Sequence, residues 1–160
     1  MSAAARSGVL SWGVKASFVH YVRAVAAGTC EAVDGAELDA DTVFRFPLTE
    51  ADRNDDGWTL RFEGGARFWA HHGFLDVELR RLALDLTSHA SGGTLSAVNG
   101  DGDRVVLGTL PPAAPAERGG VIRWSGLVPC LTEAGAELFG TVYPPGSELA
   151  SLDALVLLDS

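Results

Sequence analysis

The sequence predicts a mainly β fold in which a meandering antiparallel sheet carries two short helices. From residue 42 onward, apolar and polar residues repeatedly alternate with a period of two, which is the pattern of strands with one buried face. Turn-forming pairs such as Asp56-Gly57 and Asn99-Gly100 separate these runs at short intervals. A helical period of 3.6 residues marks two segments, one early and one late in the chain.

The early helix is predicted over residues 11–28. Five residues fall on one face of it by their spacing: Val14, Phe18, Tyr21, Val22 and Val25. Ser11 is predicted to cap its start and Gly28 to close its end. Ser17 and Tyr21 are four residues apart and share a face, whereas His20 lies about 100° round the helix and is predicted to face solvent.

Nine strands are predicted after this helix. They cover residues 42–48, 58–62, 66–70, 74–79, 82–86, 94–98, 104–107, 121–124 and 152–158. The last of them has apolar residues on both faces, which predicts a central position between layers. Residues 110–120 hold Pro111, Pro112 and Pro115 and are predicted to form an exposed connection. A second helix is predicted over residues 132–139, with Thr132 as its N-cap.

The composition predicts one globular domain over residues 1–160, with its core at about residues 8–158. The chain is 47% hydrophobic and 21% charged, which is typical of a globular protein. Its 12 Lys and Arg residues against 21 Asp and Glu residues give a net charge of −9, so no nucleic-acid partner is expected. Cys30 and Cys130 do not suggest a disulfide framework, although one bridge between them is geometrically possible.

The sequence contains no recognisable membrane or export segment. No stretch approaches the ~18 to 20 apolar residues that span a bilayer, and the first residues contain no apolar signal region. The expectation is therefore a cytoplasmic chain without membrane insertion. A trimmed mature fragment of an exported protein would look the same, and its location would be extracellular.

The adjacent His71 and His72 fall on a predicted strand, where neighbouring side chains point to opposite faces. One of them at most is therefore expected to enter any one site. A zinc site is disfavoured, because neither paired helical histidines nor a Cys-x-x-Cys spacing occurs. A phosphate-binding glycine loop and the nucleophile motif of a hydrolase are also missing from the sequence. His89 lies in a polar Ser-Gly-rich loop without a predicted partner.

Three blocks of the sequence resemble the haem-transport-associated, HtaA-type domain of actinobacteria. The first is LSWGVKASFVHYV at residues 10–22, where a Trp-Gly-Val-Lys step leads into a Ser-Phe-x-x-Tyr helix. The second is ARFWAHHGFLDVEL at residues 66–79, which is similar to the family's Arg-Phe-x-x-His-x-Gly-x-Leu-Asp pattern. The third is LTEAGAELFGTVY at residues 131–143, followed by Gly146 and Leu152-Asp153. Together the blocks extend the resemblance over nearly the whole chain.

The resemblance implies an antiparallel β-sandwich with two short helices, and a haem in a surface groove beside the first helix. It implies ferric haem b with Tyr21 as the axial ligand of the iron, His71 hydrogen-bonded to the phenolate, and Ser17 as a polar contact. The motif leaves His72 as the exposed histidine. Phe139 and Tyr143, four residues apart, are either packing residues or bring an aromatic edge to the porphyrin, and Phe139 is included among the candidate haem-contacting residues.

A tyrosine ligand also has a chemical reason that does not depend on the resemblance. A phenolate is a hard anionic oxygen ligand that favours ferric over ferrous iron, which suits a carrier. A free phenol ionises near pH ~10, so ligation near neutrality needs the charge of the iron and a hydrogen-bond donor. His71 is the candidate donor.

The predicted function is the storage, buffering or transfer of ferric haem, with haem and a haem donor or acceptor protein as partners. One alternative is a haem-dependent enzyme that uses peroxide or degrades haem, because a tyrosine ligand also occurs in catalase. His20 is the candidate acid-base residue of that alternative, which is the less favoured one. Another alternative is a haem-free interaction module on the same fold.

Overall fold

The fold is built mainly from antiparallel strands, together with two short helices. The computed structural model of the chain describes residues 5–40 and 42–158. The strands in this part of the chain are β1 (Ala5–Trp12), β2 (Thr29–Val33), β3 (Glu37–Asp39), β4 (Val43–Arg53), β5 (Gly57–Phe62), β6 (Gly65–Ala70), β7 (Leu75–Thr87), β8 (Gly93–Val98), β9 (Arg104–Leu110), β10 (Ala116–Arg118), β11 (Val121–Leu127), β12 (Cys130–Leu131) and β13 (Leu152–Leu158). The helices are α1 (Ala16–His20), which continues into a π-helical turn (Tyr21–Val25), and α2 (Glu133–Leu138). A 3-10 turn (His71–Gly73) joins β6 to β7. Within these described residues, no helix has the length and apolar character needed to cross a bilayer.

Strand β4 belongs to both of the sheets that make up the fold. Its first half pairs with β1, and this sheet has the order β10-β11-β13-β1-β4. Its second half pairs with β5 and begins the other sheet, which has the order β4-β5-β7-β8-β9-β12. A register shift between Leu48 and Glu50 marks the point where the strand passes from one sheet to the other. Such β-bulges bend a strand, which is how one strand can serve two sheets.

Aromatic side chains from the two sheets meet in a core between them. Trp58 of β5 packs edge-on against Trp124 of β11, with ring centroids 5.8 Å apart. Phe44 of β4 meets Phe68 of β6 at the same centroid distance of 5.8 Å. All four side chains are buried. The predicted antiparallel β-sandwich with two short helices is therefore confirmed.

All nine runs predicted as strands beyond residue 42 overlap strands of the structure, whereas the short strands β10 and β12 were not predicted. The runs at residues 74–79 and 82–86 are joined in the long strand β7. Strand β13 lies between β1 and β11, the central position that its two apolar faces predicted. Residues 111–115 form no strand, as the prolines predicted, but residues 116–118 of the same predicted connection form β10, which pairs with β11. The side chain of Thr132 caps α2 by accepting a hydrogen bond of 2.9 Å from the Gly135 N–H.

The prediction that the early helix begins at residue 11 is wrong. Ser11 is part of β1, where it pairs with residues of both β13 and β4. Leu10, Trp12 and Val14 are buried at alternate positions, a strand pattern that the helical spacing from Val14 onward obscured. The helix begins after Lys15, whose backbone is extended and whose side chain caps nothing.

The end of this helix also differs from the prediction, because Ala27 and not Gly28 takes the left-handed conformation, with φ of 51°. Gly28 is a glycine for another reason: a Cβ atom there would overlap the carbonyl oxygen of Trp69 in β6. Val25 is 67% exposed, since the π-helical turn rotates it away from the face on which α-helical spacing placed it.

Candidate functional site

Helix α1 is held by a cluster of aromatic rings at one end of the sandwich. Phe18 is 1% exposed, and its ring lies 5.0 Å from that of Phe68 in β6 and 5.1 Å from that of Phe139. Val22, one turn later, is fully buried. Burial of this face leaves Ser17 and Tyr21 on the side of the helix that is turned toward the protein surface.

Tyr21 stands where the α-helix changes into the π-helical turn. Its carbonyl accepts a hydrogen bond of 2.8 Å from the N–H of Ala26, five residues on. Single π-helical turns within α-helices are frequent at functional sites. Tyr21 therefore lies at the one irregular point of this helix.

The histidines predicted to lie on a strand are instead in the 3-10 turn between β6 and β7. His71 and His72 have left-handed backbones, with φ of 53° and 58°, and Gly73 follows with φ of 96°. Consecutive left-handed residues other than glycine each cost of order 1 kcal/mol and concentrate at functional sites. This turn, rather than strand alternation, separates the two histidines: both are exposed, and His71 is the one that reaches Tyr21.

The phenol oxygen of Tyr21 lies 2.8 Å from Nε2 of His71. The ring centroids are 6.0 Å apart and the planes are tilted by 52°, so the contact is a hydrogen bond and not a stack. Either atom can donate, since the tautomer of His71 decides which of them carries the proton. The arrangement places the phenol oxygen of Tyr21 beside an imidazole that can donate or accept a proton, and both lie at the surface.

A second hydrogen bond lies one helical turn before the first. The hydroxyl oxygens of Ser17 and Tyr143 are 2.9 Å apart. The ammonium group of Lys15 lies 4.7 Å from the centre of the Tyr143 ring and donates to the carbonyl oxygen of Glu148 at 2.7 Å. These contacts bring a hydroxyl pair and a positive charge beside the Tyr21–His71 pair.

Phe139 does not lie at the surface of this site. Its side chain is 1% exposed and packs against Phe18. Of the two alternatives left open by the sequence, packing fits the position of Phe139, and direct contact with a bound ligand does not. Tyr143, four residues on, is the half-buried aromatic residue that reaches the polar contacts.

Two exposed apolar side chains are close in sequence to His71 and Tyr143. Phe74 follows the 3-10 turn and is 95% exposed, and Val142 precedes Tyr143 and is 61% exposed. We call Phe74 and Val142 the apolar rim. Sequence reasoning assigned Phe74 to a strand and missed its exposure, because the left-handed turn that projects it outward leaves no periodic signal. Large exposed apolar side chains next to polar groups are a feature of binding surfaces.

The remaining histidines and the cysteines take no part in the Tyr21–His71 and Ser17–Tyr143 hydrogen bonds. His20 is exposed, as predicted. His89, which had no predicted partner, contacts the carboxylate of Asp56 at 3.0 Å. Cys30 and Cys130 are free thiols. Residues 5–40 and 42–158 contain no group of three or more His, Cys, Asp or Glu residues placed to hold a metal ion.

The fold and the site define the class of protein: an antiparallel β-sandwich domain whose first helix presents a tyrosine that is hydrogen-bonded to a histidine from a distant turn. The HtaA family model matches residues 7–154, and the chain belongs to that family. No curated protein sequence matches the chain.

Solved structures similar to this chain come from Corynebacterium glutamicum. The C-terminal domain of HtaA has 25% identity and a TM-score of 0.85, with 99% of this chain and 100% of that chain covered. The N-terminal domain of HtaA has 25% identity and a TM-score of 0.82, with 98% and 99% covered. The haem-binding protein HtaB shares the fold, with 19% identity, a TM-score of 0.70 and coverage of 96% and 94%.

Proposed function

We propose that this chain binds ferric haem b through the phenolate oxygen of Tyr21, and that it stores, buffers or transfers the haem. The observation that carries the proposal is the 2.8 Å hydrogen bond between Tyr21 and His71 at the protein surface. Membership of the HtaA family supports it, as does the likeness in fold to a protein described as haem-binding. A carrier role implies a haem donor or acceptor protein as the partner.

The side chains around Tyr21 fit a haem in their chemistry. Ferric iron supplies a hard Lewis acid for which a phenolate is a suitable axial ligand. The apolar rim offers the side chains of Phe74 and Val142, which are costly to leave in water and would be covered by an apolar macrocycle. Ser17, Tyr143 and Lys15 provide hydroxyl groups and a positive charge that suit a propionate.

His71 can accept the proton that Tyr21 must release when its oxygen binds iron. When the phenol is neutral, its O–H can donate to an unprotonated Nε2 of His71. When the oxygen becomes a phenolate, the same nitrogen can hold the proton and donate it back as a charge-assisted hydrogen bond. The left-handed turn holds the imidazole in place for both states, so no rearrangement of the backbone is required.

The test is a titration of the protein with ferric haemin, followed by absorbance, in the native chain, in Tyr21→Phe and in Tyr143→Phe. The two tyrosines of the chain lose the same hydroxyl group in these variants. Tyr143→Phe is therefore the control for the spectrum, and not for the affinity, because the Tyr143 hydroxyl is proposed to face a propionate and not the iron. We expect a saturating one-to-one change with a high-spin charge-transfer band in the native chain and in Tyr143→Phe, and its loss in Tyr21→Phe. If Tyr21→Phe shows the same spectral change as the native chain, Tyr21 is not the iron ligand. If the native chain shows no specific change, the chain does not bind haem.

A further inference from the structure

A cavity of about 350 Å³ lies away from the Tyr21 site and is lined by residues of β4, β5, β7 and β9. Its lining residues are Thr49, Arg61, Phe62, Glu63, Arg81 and Arg104. Three of these six are arginines, although the chain as a whole has a net charge of −9. This concentration of positive charge needs a physical explanation.

The backbone of β7 is irregular where it contributes to the cavity. The register with β8 shifts between Arg80 and Ala83, which is a β-bulge. Arg81 lies in it with a left-handed φ of 48°, and its N–H donates to the carbonyl oxygen of Gly64 at 3.1 Å. Bulges of this kind change the direction of a side chain and are common beside functional sites. The bulge brings the Arg81 side chain to the cavity that Arg61 and Arg104 also line.

Arg104 is fixed in the cavity by neutral partners. One guanidinium nitrogen donates to the hydroxyl of Ser96 and another to the backbone carbonyl of Arg81, both at 2.9 Å. Ser96 is itself buried. Burial lowers the pKa of the Arg104 guanidinium, and the positive charges of Arg61 and Arg81 lower it further, while Asp85 opposes them. The positive charges of Arg61 and Arg81 therefore act unfavourably on that of Arg104.

Several other arginines of the chain are paired with carboxylates. Arg67 is bonded to the carboxylate of Asp76, and Arg45 to that of Asp39. Among the described residues, the ion pair of Arg61 is a long one, with Nε 3.8 Å from Oε2 of Glu50. Neither Arg81 nor Arg104 has an ion pair with any residue in the described part of the chain. An acidic protein that leaves these two arginines without an ion pair, beside a third, has a cavity whose lining is suited to an anion.

We propose that this cavity binds a phosphate group, either as inorganic phosphate or as the head of a phosphomonoester. A phosphate monoester carries about −1.5 to −2 charges at pH 7 and three strong acceptor oxygens, which match several guanidinium forks. The cavity exceeds the ~30 Å³ of a water molecule about ten times over, which leaves space for the ester group. Glu63, also in the lining, repels an anion and lowers its affinity.

This site is separate from the proposed haem site. Strand β7 begins at Leu75, close to the turn that carries His71, and Arg81 lies six residues further along. At about 3.3 Å per residue the two places are roughly 20 Å apart along the strand. Phosphate binding therefore does not depend on Tyr21, and its outcome leaves the proposed haem site unaffected.

The experiment is a titration of the ¹⁵N-labelled full chain with sodium phosphate at constant ionic strength, followed by amide chemical shifts. We expect shifts centred on Arg81 and Arg104, and a dissociation constant raised about ten-fold or more in Arg81→Asn. Asparagine tolerates the left-handed backbone, so this variant removes the guanidinium and keeps the bulge. Arg45→Asn removes the same charge from the other sheet and should leave the constant within about two-fold. Glu63→Gln should tighten binding.

Further outcomes separate the sources of the phosphate and decide the proposal. Tighter binding of glycerol 3-phosphate than of inorganic phosphate assigns a soluble ester, and flotation with phosphatidic acid vesicles but not with phosphatidylcholine vesicles assigns a lipid headgroup. If Arg81→Asn melts at a lower temperature than the native chain, Arg61→Gln replaces it as the test variant. Equal effects of Arg81→Asn and Arg45→Asn, or shifts that sodium chloride alone reproduces, would overturn the proposal.

Discussion

The hydroxyl groups of Ser17 and Tyr143 are hydrogen-bonded at 2.9 Å across 126 residues of sequence. One turn later on the same helix, Tyr21 bonds to His71 across 50 residues. The exposed face of α1 and its π-helical turn is thus tied to two distant segments, one after α2 and one between β6 and β7. Two such bonds fix the rotation of the helix about its axis, and with it the direction in which Tyr21 points.

We expect His71→Ala to lower the affinity for ferric haemin by about 10- to 100-fold, because partners that hydrogen-bond to a ligand tune its basicity and orientation. His72→Ala is the control: it has the same residue change at an adjacent position with nearly the same backbone, φ 58° against 53°. Its affinity should stay within about two-fold of the native value. Equal losses in the two variants, measured by haemin titration, would assign the effect to the turn and not to the imidazole of His71.

The apolar rim is expected to contribute to ligand affinity but not to folding. Phe74→Ser should weaken haemin binding by about ten-fold or more, because covering a phenyl ring is worth roughly 1.5–3 kcal/mol. The urea midpoint should not fall, since Phe74 is 95% exposed in the free protein. Val106→Ser, at a 42% exposed position on β9, is the control and should bind haemin normally. A loss of stability without a loss of affinity would contradict this role for Phe74.

Removal of the α2 cap should destabilise the fold by about 1 kcal/mol. Thr132→Ala deletes the oxygen that accepts from the Gly135 N–H, and also the hydroxyl that donates to the Val106 carbonyl at 2.5 Å. Thr132→Ser retains a hydroxyl and should recover most of the free energy of unfolding, as measured by urea denaturation. If serine and alanine are equally destabilising, the methyl group and not the cap is the stabilising part.

Gly93 is required by the close packing of β8 on β7. A Cβ atom at this position would overlap the carbonyl oxygen of Asp85. Gly93→Ala should therefore lower the free energy of unfolding by about 2 kcal/mol or more. Gly100→Ala, where the nearest atom to a Cβ is 3.8 Å away, should change it by less than about 0.5 kcal/mol. A thermal or urea melt of both variants would reveal any reversal of this order.

Cys30 should be a slowly reacting thiol near neutral pH. Burial raises its pKa, and the neighbouring charge and hydrogen bond of Arg23 oppose this only in part. Since the thiolate is the reactive form, alkylation in a Cys130→Ala background should have a pH midpoint above that of an unperturbed cysteine. Arg23→Gln removes the opposing effect and should move the midpoint higher still. A midpoint that falls in Arg23→Gln would contradict this account.

Local patterns in the sequence predicted much of the fold, because strand alternation and helix capping are local properties. The run from Trp58 to Phe62 and the cap at Thr132 required only neighbouring residues. Strand β1 was missed because the helical spacing from Val14 onward obscured its short alternation, and the pairing of Ser11 with the far end of the chain is not a local property.

The site was accessible from the sequence only in part. Spacing placed Ser17 and Tyr21 on one face, but the contact of Tyr21 with His71 follows from family motifs and from the fold, not from periodicity. Side-chain directions at His71 and at Arg81 depend on left-handed backbones, which neither hydropathy nor spacing encodes. The grouping of Arg81 with Arg104 likewise arises from strand register and a bulge.

The π-helical turn after Tyr21 has a consequence for changes in the length of the chain. Its hydrogen bond from Ala26 to Tyr21 encloses one residue more than the corresponding α-helical bond. Deletion of one residue between them therefore yields an ordinary α-helical turn. Tyr21 before the turn and the start of β2 after it both keep their positions. Homologous domains can thus differ in length by one residue at this point and still present the tyrosine.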